Sequence, residues 1–353
     1  MVGDSGFVLD GLYPHDDTIK IGINHRDGRP ERYFLMQMTT LGRTGLNVSV
    51  AGLGCGGHSR LGLGTGGSEE AAVRIIQTAM DEGVNFIDTA QVYGTETVVG
   101  RAVQGRRDQV VLSTKVQIVK PGAAVTSNDC ISGDGFAANF EDSLTRLGTD
   151  YVDILHLHGV APSQYDYCAK EFVPVLDRLR DQGKIRFFGL TERFITDPEH
   201  AMLSQALEDE FWDVIMVGFN LINPSARHRV FQHTRDKNIG VLDMFAVRRA
   251  LSDADALRDI IDDLVKDGII DGDLLDVENP LGFLTEDGAA ASVVEAAYRF
   301  CRHEPGVDII LSGTGNLDHL HENLSSIQKP PLPENCQQRL QEIFGDVDSV
   351  SGN

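Results

Sequence analysis

The chain has 353 residues, 41% of them hydrophobic, enough for one large core or two modest ones. Its 53 acidic residues outnumber 31 basic ones, and a net charge of −22 argues against partners with phosphate backbones or anionic lipid surfaces. No apolar run reaches bilayer length, the N-terminus lacks the pattern of a secretory signal, and Cys55, Cys130, Cys168, Cys301 and Cys336 form no CxxC pair, so reduced thiols in a cytoplasmic protein are expected.

Residues 1–35, rich in Gly, Asp and Pro, read as a loosely attached N-terminal extension. Residues 36–49, "MQMTTLGRTGLNVS", read as a β-hairpin around Gly42 and Gly45. The first strand is expected at 48–54, followed by the clearest helix, "SEEAAVRIIQTAMDEG". There Ser68 caps, Glu69 and Glu70 suit the positive end of the helix dipole, and Gly83 stops it. Ala72, Ile75, Ile76, Ala79 and Met80 fall on one apolar stripe.

Further near-continuous apolar runs predict buried parallel strands at 85–88, 109–115, 152–158, 185–190, 214–219, 240–245 and 308–313. Helices fit between and after them near 96–103, 139–147, 169–182, 197–208, 224–237, 289–303 and 317–326. Eight β-α units predict a closed (β/α)8 TIM barrel over 36–346, with the hairpin plugging its bottom and a short tail at 347–353. The interval between strands 7 and 8 is long, and its excess, 246–288, reads as an insertion carrying its own helix, "DADALRDIIDDLVKDG". With 117–138 and 159–168, this insertion is expected to shape the substrate pocket.

The first strand spells Gly52-x-Gly54-x-x-Gly57, the pattern of a dinucleotide-binding loop. Its context is wrong for a Rossmann fold: "HSRLGLGTGG" separates it from the helix, and no acidic partner follows in the right setting.

In a barrel of this kind chemistry belongs at the carboxyl ends of strands. Asp88, Lys115 and His158 fall there, and Tyr93 follows Asp88 closely. A Lys⁺ beside a phenol lowers its pKa, a carboxylate holds the lysine, and an imidazole orients a carbonyl; with a hydride donor nearby, the set reduces a carbonyl or oxidises an alcohol. The competing structural reading is an Asp88–Lys115 ion pair with Tyr93 and His158 as rim residues. His156 and His158 also share a strand face, as metal ligands of a barrel hydrolase do, but strands 5 and 6 end in "GLT" and "GFN" with no further ligand. His156, one pleat deeper, is expected to be a hydrogen-bonded core residue.

At these residues the sequence resembles the aldo-keto reductases. "NFIDTAQVYGTETVVGRAV", "SLTRLGTDYVDILHLHG", "GKIRFFGLTE" and "SGTGNLDHLHENL" are similar to motifs of that family in the same order. The resemblance implies Asp88, Tyr93, Lys115 and His158 as a catalytic tetrad with Tyr93 as general acid/base. It also implies NADP or NAD lying extended across the barrel top, and a small carbonyl compound or sugar as substrate. The coenzyme residues it points to are Gly54, Thr191, Met216, Phe245, Gly313, Thr314, Gly315, Asn316, His319 and Asn323.

The chain departs from the family pattern in several places. Thr191-Glu192 replaces a frequent Ser-Asn, so a hydroxyl is kept while Glu192 brings a charge and loses an amide donor. Met216 replaces a glutamine, and Met244–Val247 replaces "YSPL", with Arg248 and Arg249 directly after it. Residues 312–324 hold no Lys or Arg, only His319 and His321, so the dianionic 2′-phosphate of NADP lacks its usual partners and NADH is expected to serve at least comparably to NADPH. A catalytically silent coenzyme-binding subunit is the non-enzymatic alternative.

Overall fold

The computed structural model describes residues 19–23, 30–286 and 288–353. Most of the expected extension at 1–35 lies outside the described residues; within it, strands β1 (Ile19–Ile23) and β2 (Pro30–Phe34) pair antiparallel. The expected hairpin follows as β3 (Met38–Leu41) and β4 (Leu46–Ser49), turning through Gly42 and Gly45 at φ 42° and 68°. Its tip presses on the start of a barrel strand: a Cβ on Gly42 would lie 2.3 Å from the backbone nitrogen of Gly240. Leu41, Leu46 and Val48 pack with the lowest inward-facing barrel residues, so the hairpin plugs the bottom.

The barrel strands are β5 (Ala51–Gly54), β6 (Phe86–Asp88), β7 (Val111–Gln117), β8 (Val152–Val160), β9 (Ile185–Glu192), β10 (Val214–Gly218), β11 (Gly240–Met244) and β12 (Ile309–Ser312). All neighbours are parallel, and β12 pairs with β5 to close the ring. The expected first strand, 48–54, is two strands: Val48 and Ser49 belong to the antiparallel hairpin, and the chain bends at Val50 before entering the barrel. Strands β7 and β8 each run two residues past the expected ends, so Lys115 and His158 lie inside their strands.

Two faces alternate along every strand. Inward positions such as Phe86, Val111, Ile154, Val214 and Ile309 fill the lower barrel, and Asp88, Lys115, His156 and His158 occupy inward positions higher up. Outward residues such as Ile87, Leu112, Leu155 and Val217 meet the helices.

Around the ring run α1 (Glu69–Asp81), α2 (Glu96–Val103), α3 (Gly133–Leu147), α4 (Tyr165–Asp181), α5 (Ala201–Ala206), α6 (Ala226–Arg229) and α7 (Phe231–Asp236). Helix α1 follows the expected logic: Ser68 Oγ accepts from the Ala71 amide at 3.2 Å, and all five stripe residues are buried. The single helix expected at 224–237 is broken at Val230 (φ −126°, ψ −55°), and the one expected at 197–208 starts later because His200 is left-handed at φ 60°.

The segment between β11 and β12 carries α8 (Arg249–Ser252), α9 (Ala254–Lys266) and α10 (Val293–Arg302); α11 (Leu317–Ile327) and α12 (Glu334–Phe344) complete the chain's helices. Helix α12 was not expected from the sequence pattern. It lays Leu340, Ile343 and Phe344 against Leu251, Leu257 and Ile261 in a second apolar cluster beside the barrel. No helix among the described residues is long and apolar enough to cross a membrane.

Candidate active site

The site grows from the short strand β6. Asp88 faces inward, and its backbone carbonyl accepts from the Cys55 amide at 2.8 Å. The carboxylate takes Ser113 Oγ at 2.9 Å on one oxygen and Lys115 Nζ at 2.5 Å on the other. Lys115 also donates to the Thr89 carbonyl at 2.8 Å and is 0% exposed. A buried charge pair survives only when the remaining donors and acceptors are met, and here two neighbours help meet them.

A 3-10 turn at Gln91–Tyr93 brings Tyr93 back over this pair. The ammonium of Lys115 lies 5.1 Å from the Tyr93 ring centroid, and the His158 ring meets the Tyr93 ring edge-on at 5.5 Å. Gly56 backs the phenol: a Cβ there would fall 2.5 Å from the ring, so only glycine lets the loop after β5 lie against it. The structure thus brings Asp88, Tyr93, Lys115 and His158 into one cluster.

Burial sets the proton affinities. It lifts the Tyr93 phenol above its ordinary value; Lys115 pulls the other way, and Asp88 adds to the rise. The net direction corrects the expectation that Lys115 lowers the phenol, because a buried phenolate loses more hydration than one ammonium, itself shared with Asp88, returns. For Lys115 burial is opposed by Asp88 and then Tyr93, which together hold the ammonium above its usual range. Burial, followed by the charges of Lys115 and Arg193, pushes His158 down to about 3, so the imidazole is neutral.

His156 is fully buried one layer down, its ring flat on Gly189, where a Cβ would fall 2.3 Å from Nδ1. Neither ring nitrogen has a hydrogen-bond partner of good geometry, contrary to expectation; burial and then Lys115 keep it uncharged. Among the described residues no group of three or more His, Cys, Asp or Glu side chains could hold a metal ion.

Of the residues expected at the coenzyme, Thr191 and Met216 lie side by side in register on β9 and β10, both facing inward. Glu192 points the other way. Its oxygens meet His200 Nδ1 at 2.9 and 3.0 Å, and one accepts from the Gly218 amide at 2.7 Å, so its charge is turned from the barrel mouth. Phe245 holds φ 77°, unusual for a non-glycine residue, and packs edge-on against Phe194. Gly313 lies against the Gly54 carbonyl, and Gly315 against Gly62; a Cβ on either would come within 2.5 Å of backbone.

Thr314 Oγ1 receives the Asn316 amide at 3.1 Å, and the Asn316 side chain caps α11 by accepting from the amides of Asp318 and His319. Asn323 donates to Ser312 Oγ at 3.0 Å, tying α11 to β12. The imidazole of His319 is exposed at the first turn of α11. Gly313 and Gly315 keep the backbone between β12 and α11 bare of side chains, so that this segment could hold a coenzyme phosphate, and residues 312–324 contain no Lys or Arg.

Three features went unrecognised in the sequence. Gly56 lies behind Tyr93, and the Cys55 amide donates to the Asp88 carbonyl; the third is Arg193, packed against Gly159, the residue after His158. Only Arg193 had a legible signal: a cation directly after a strand end, in "GLTER".

The model described as "Aldo/keto reductase family" matches residues 53–344. The uncharacterized oxidoreductase YqkF of Bacillus subtilis is 26% identical over 87% of this chain and 96% of its own. L-Galactose dehydrogenase of Arabidopsis thaliana is 35% identical over 44% of this chain and 48% of its own. The holo form of aldo-keto reductase AKR11C1 from Bacillus halodurans superposes with a TM-score of 0.65 at 23% identity, covering 88% of this chain and 97% of that one; at that identity the likeness is one of fold.

Proposed function

Since the chain belongs to the aldo/keto reductase family, we propose that it is an NAD(P)(H)-dependent oxidoreductase interconverting a carbonyl and the corresponding alcohol, or an aldose and its lactone. The observation that carries this reading is the Tyr93 phenol gathered with the buried Lys115–Asp88 pair and the neutral His158. The bound nicotinamide coenzyme supplies or accepts the hydride.

Everything else is the work of this chain's residues. The substrate oxygen lies between the Tyr93 hydroxyl and the His158 ring. The phenol, kept protonated, gives its proton to the oxygen as negative charge develops there, and takes it back in the reverse direction. Lys115 stabilises the phenolate left behind, and Asp88 fixes Lys115. His158, neutral, donates one hydrogen bond to orient the carbonyl. Thr191 would offer its hydroxyl to the carboxamide of the coenzyme, Met216 and Phe245 would line the ring's surroundings, and Gly54 would leave room for its approach. Gly313, Thr314 and Gly315 would hold the phosphates with backbone amides, and His319 and Asn323 stand on the helix that follows. A sugar substrate is supported by the partial relative that acts on L-galactose.

Turnover is tested with purified protein on a panel of sugars, aldehydes and alcohols, with both coenzymes and in both directions. Tyr93→Phe abolishes turnover while coenzyme affinity stays within a few-fold; near-native rates in that variant would refute the assignment. Lys115→Met is also close to inactive. With no Lys or Arg at 312–324, NADH serves at least comparably to NADPH, and a thousandfold preference for NADPH in kcat/KM would contradict this.

A further inference from the structure

The bulge in β8 seats a cation where the reaction needs none. Register between β8 and β9 shifts between Leu157 and Val160, and Gly159 there adopts φ 62°. Arg193, the first residue after β9, lays its guanidinium in the space so opened: a Cβ on Gly159 would fall 3.2 Å from its Cζ. Glycine at this position is required twice, by the left-handed backbone and by the close approach.

Several features mark Arg193 as held ready rather than merely solvated. It is half-buried, and its Nε is buried without a hydrogen-bond partner. No carboxylate among the described residues pairs with it, although acids outnumber bases by 53 to 31 in the chain. The adjacent Glu192, which could have neutralised it, is bound to His200 and the Gly218 amide. Its charge is felt at His158, and burial lowers its own proton affinity. Arg248, also half-buried and electrostatically coupled to Tyr93, is already engaged: it stacks 4.0 Å from the Phe245 centroid and donates to Asn353 Oδ1 at 2.8 Å. An unpaired guanidinium kept partly out of water is costly unless an anion arrives to share its donors.

We propose that the substrate carries a carboxylate and that Arg193 is the specificity-determining residue that binds it while the carbonyl carbon lies against Tyr93 and His158. This rests on the reading of Tyr93 and His158 given above. The fork of a guanidinium matches a carboxylate in two parallel hydrogen bonds, which a lone ammonium does not.

The test uses matched pairs, 4-carboxybenzaldehyde against benzaldehyde and D-glucuronate against D-glucose, with both coenzymes. In the wild type at least one carboxylated member has a kcat/KM about tenfold or more above its neutral partner, the difference lying mainly in KM. Arg193→Leu brings that ratio to about one, and Arg193→Lys restores part of it. Calorimetric titration of 4-(hydroxymethyl)benzoate against benzyl alcohol, with coenzyme present, gives a readout independent of turnover: the carboxylate binds more tightly in the wild type, and the difference vanishes in Arg193→Leu. A wild-type preference that survives in Arg193→Leu, or carboxylated members no better than neutral ones in both assays, overturns the anion site. Carboxylate binding through Arg193 with no turnover of any pair would uphold that site while removing the oxidoreductase reading.

Discussion

As the proposed acid, Tyr93 has to stay protonated beside the Lys115 ammonium, and burial raises the phenol's proton affinity first, with Lys115 in opposition. Accordingly kcat/KM for carbonyl reduction has no alkaline limb below pH about 10, the ordinary phenol value, and a limb near neutrality would contradict the assignment. His158 works in the opposite sense for stability. Its folded value, about 3, lies below the ordinary 6.5, so the unfolded chain takes up the proton first as pH falls. Its contribution is full above about 6.5 and is lost progressively toward about 3. Denaturant unfolding across that window shows falling stability, with a shallower decline in His158→Gln.

Gly56→Ala would drive a methyl group into the Tyr93 ring; kcat falls about ten- to a hundredfold through misplacement of the proposed acid, read by steady-state kinetics alongside an unchanged fold by circular dichroism. Asp88 and Lys115 were legible in the sequence because ionic side chains at inward strand positions are rare without a task. The turn of Glu192 away from the mouth was not legible, because its partner His200 owes its place to a left-handed residue that the sequence does not announce.

Elements whose local chemistry is self-contained could be read in advance. Helix α1 needs only its own Ser68, its stripe and Gly83, so Ser68→Ala should cost about 1 kcal/mol of unfolding free energy, measured by chemical denaturation. Where tertiary partners decide, local patterns fell short. Helix α3 begins at Gly133, inside "SGDG", because Ser132 caps it and the Glu171 carboxylate accepts from the Gly133 amide at 2.8 Å. Strand β7 reaches Gln117 by pairing with His158, and β8 reaches Val160 by pairing with Glu192 of β9, so neither end could be fixed from its own residues. Between α2 and α3, the buried Glu96 accepts from Thr114 and from Arg146, each at 2.7 Å. Glu96→Ala leaves those donors unmatched, and with Arg146 partly exposed the loss is about 1–3 kcal/mol, checked by thermal and denaturant unfolding.

For the whole molecule, counting β-α units led to the closed ring, because eight buried parallel strands leave no edge to cover. The second apolar cluster escaped notice because α12, more than 60 residues beyond α9, supplies one of its walls. All five cysteines are buried, and they are spread across both clusters and one loop: Cys55, Cys168 and Cys301 at 0%, Cys336 at 4% and Cys130 at 8%. A thiol-modifying reagent therefore has to wait for the protein to breathe, and each sulfur becomes a clock for its own neighbourhood. Mass spectrometry after timed labelling should find Cys130 modified first and Cys336 next, with the other three reacting together only when the barrel itself comes apart.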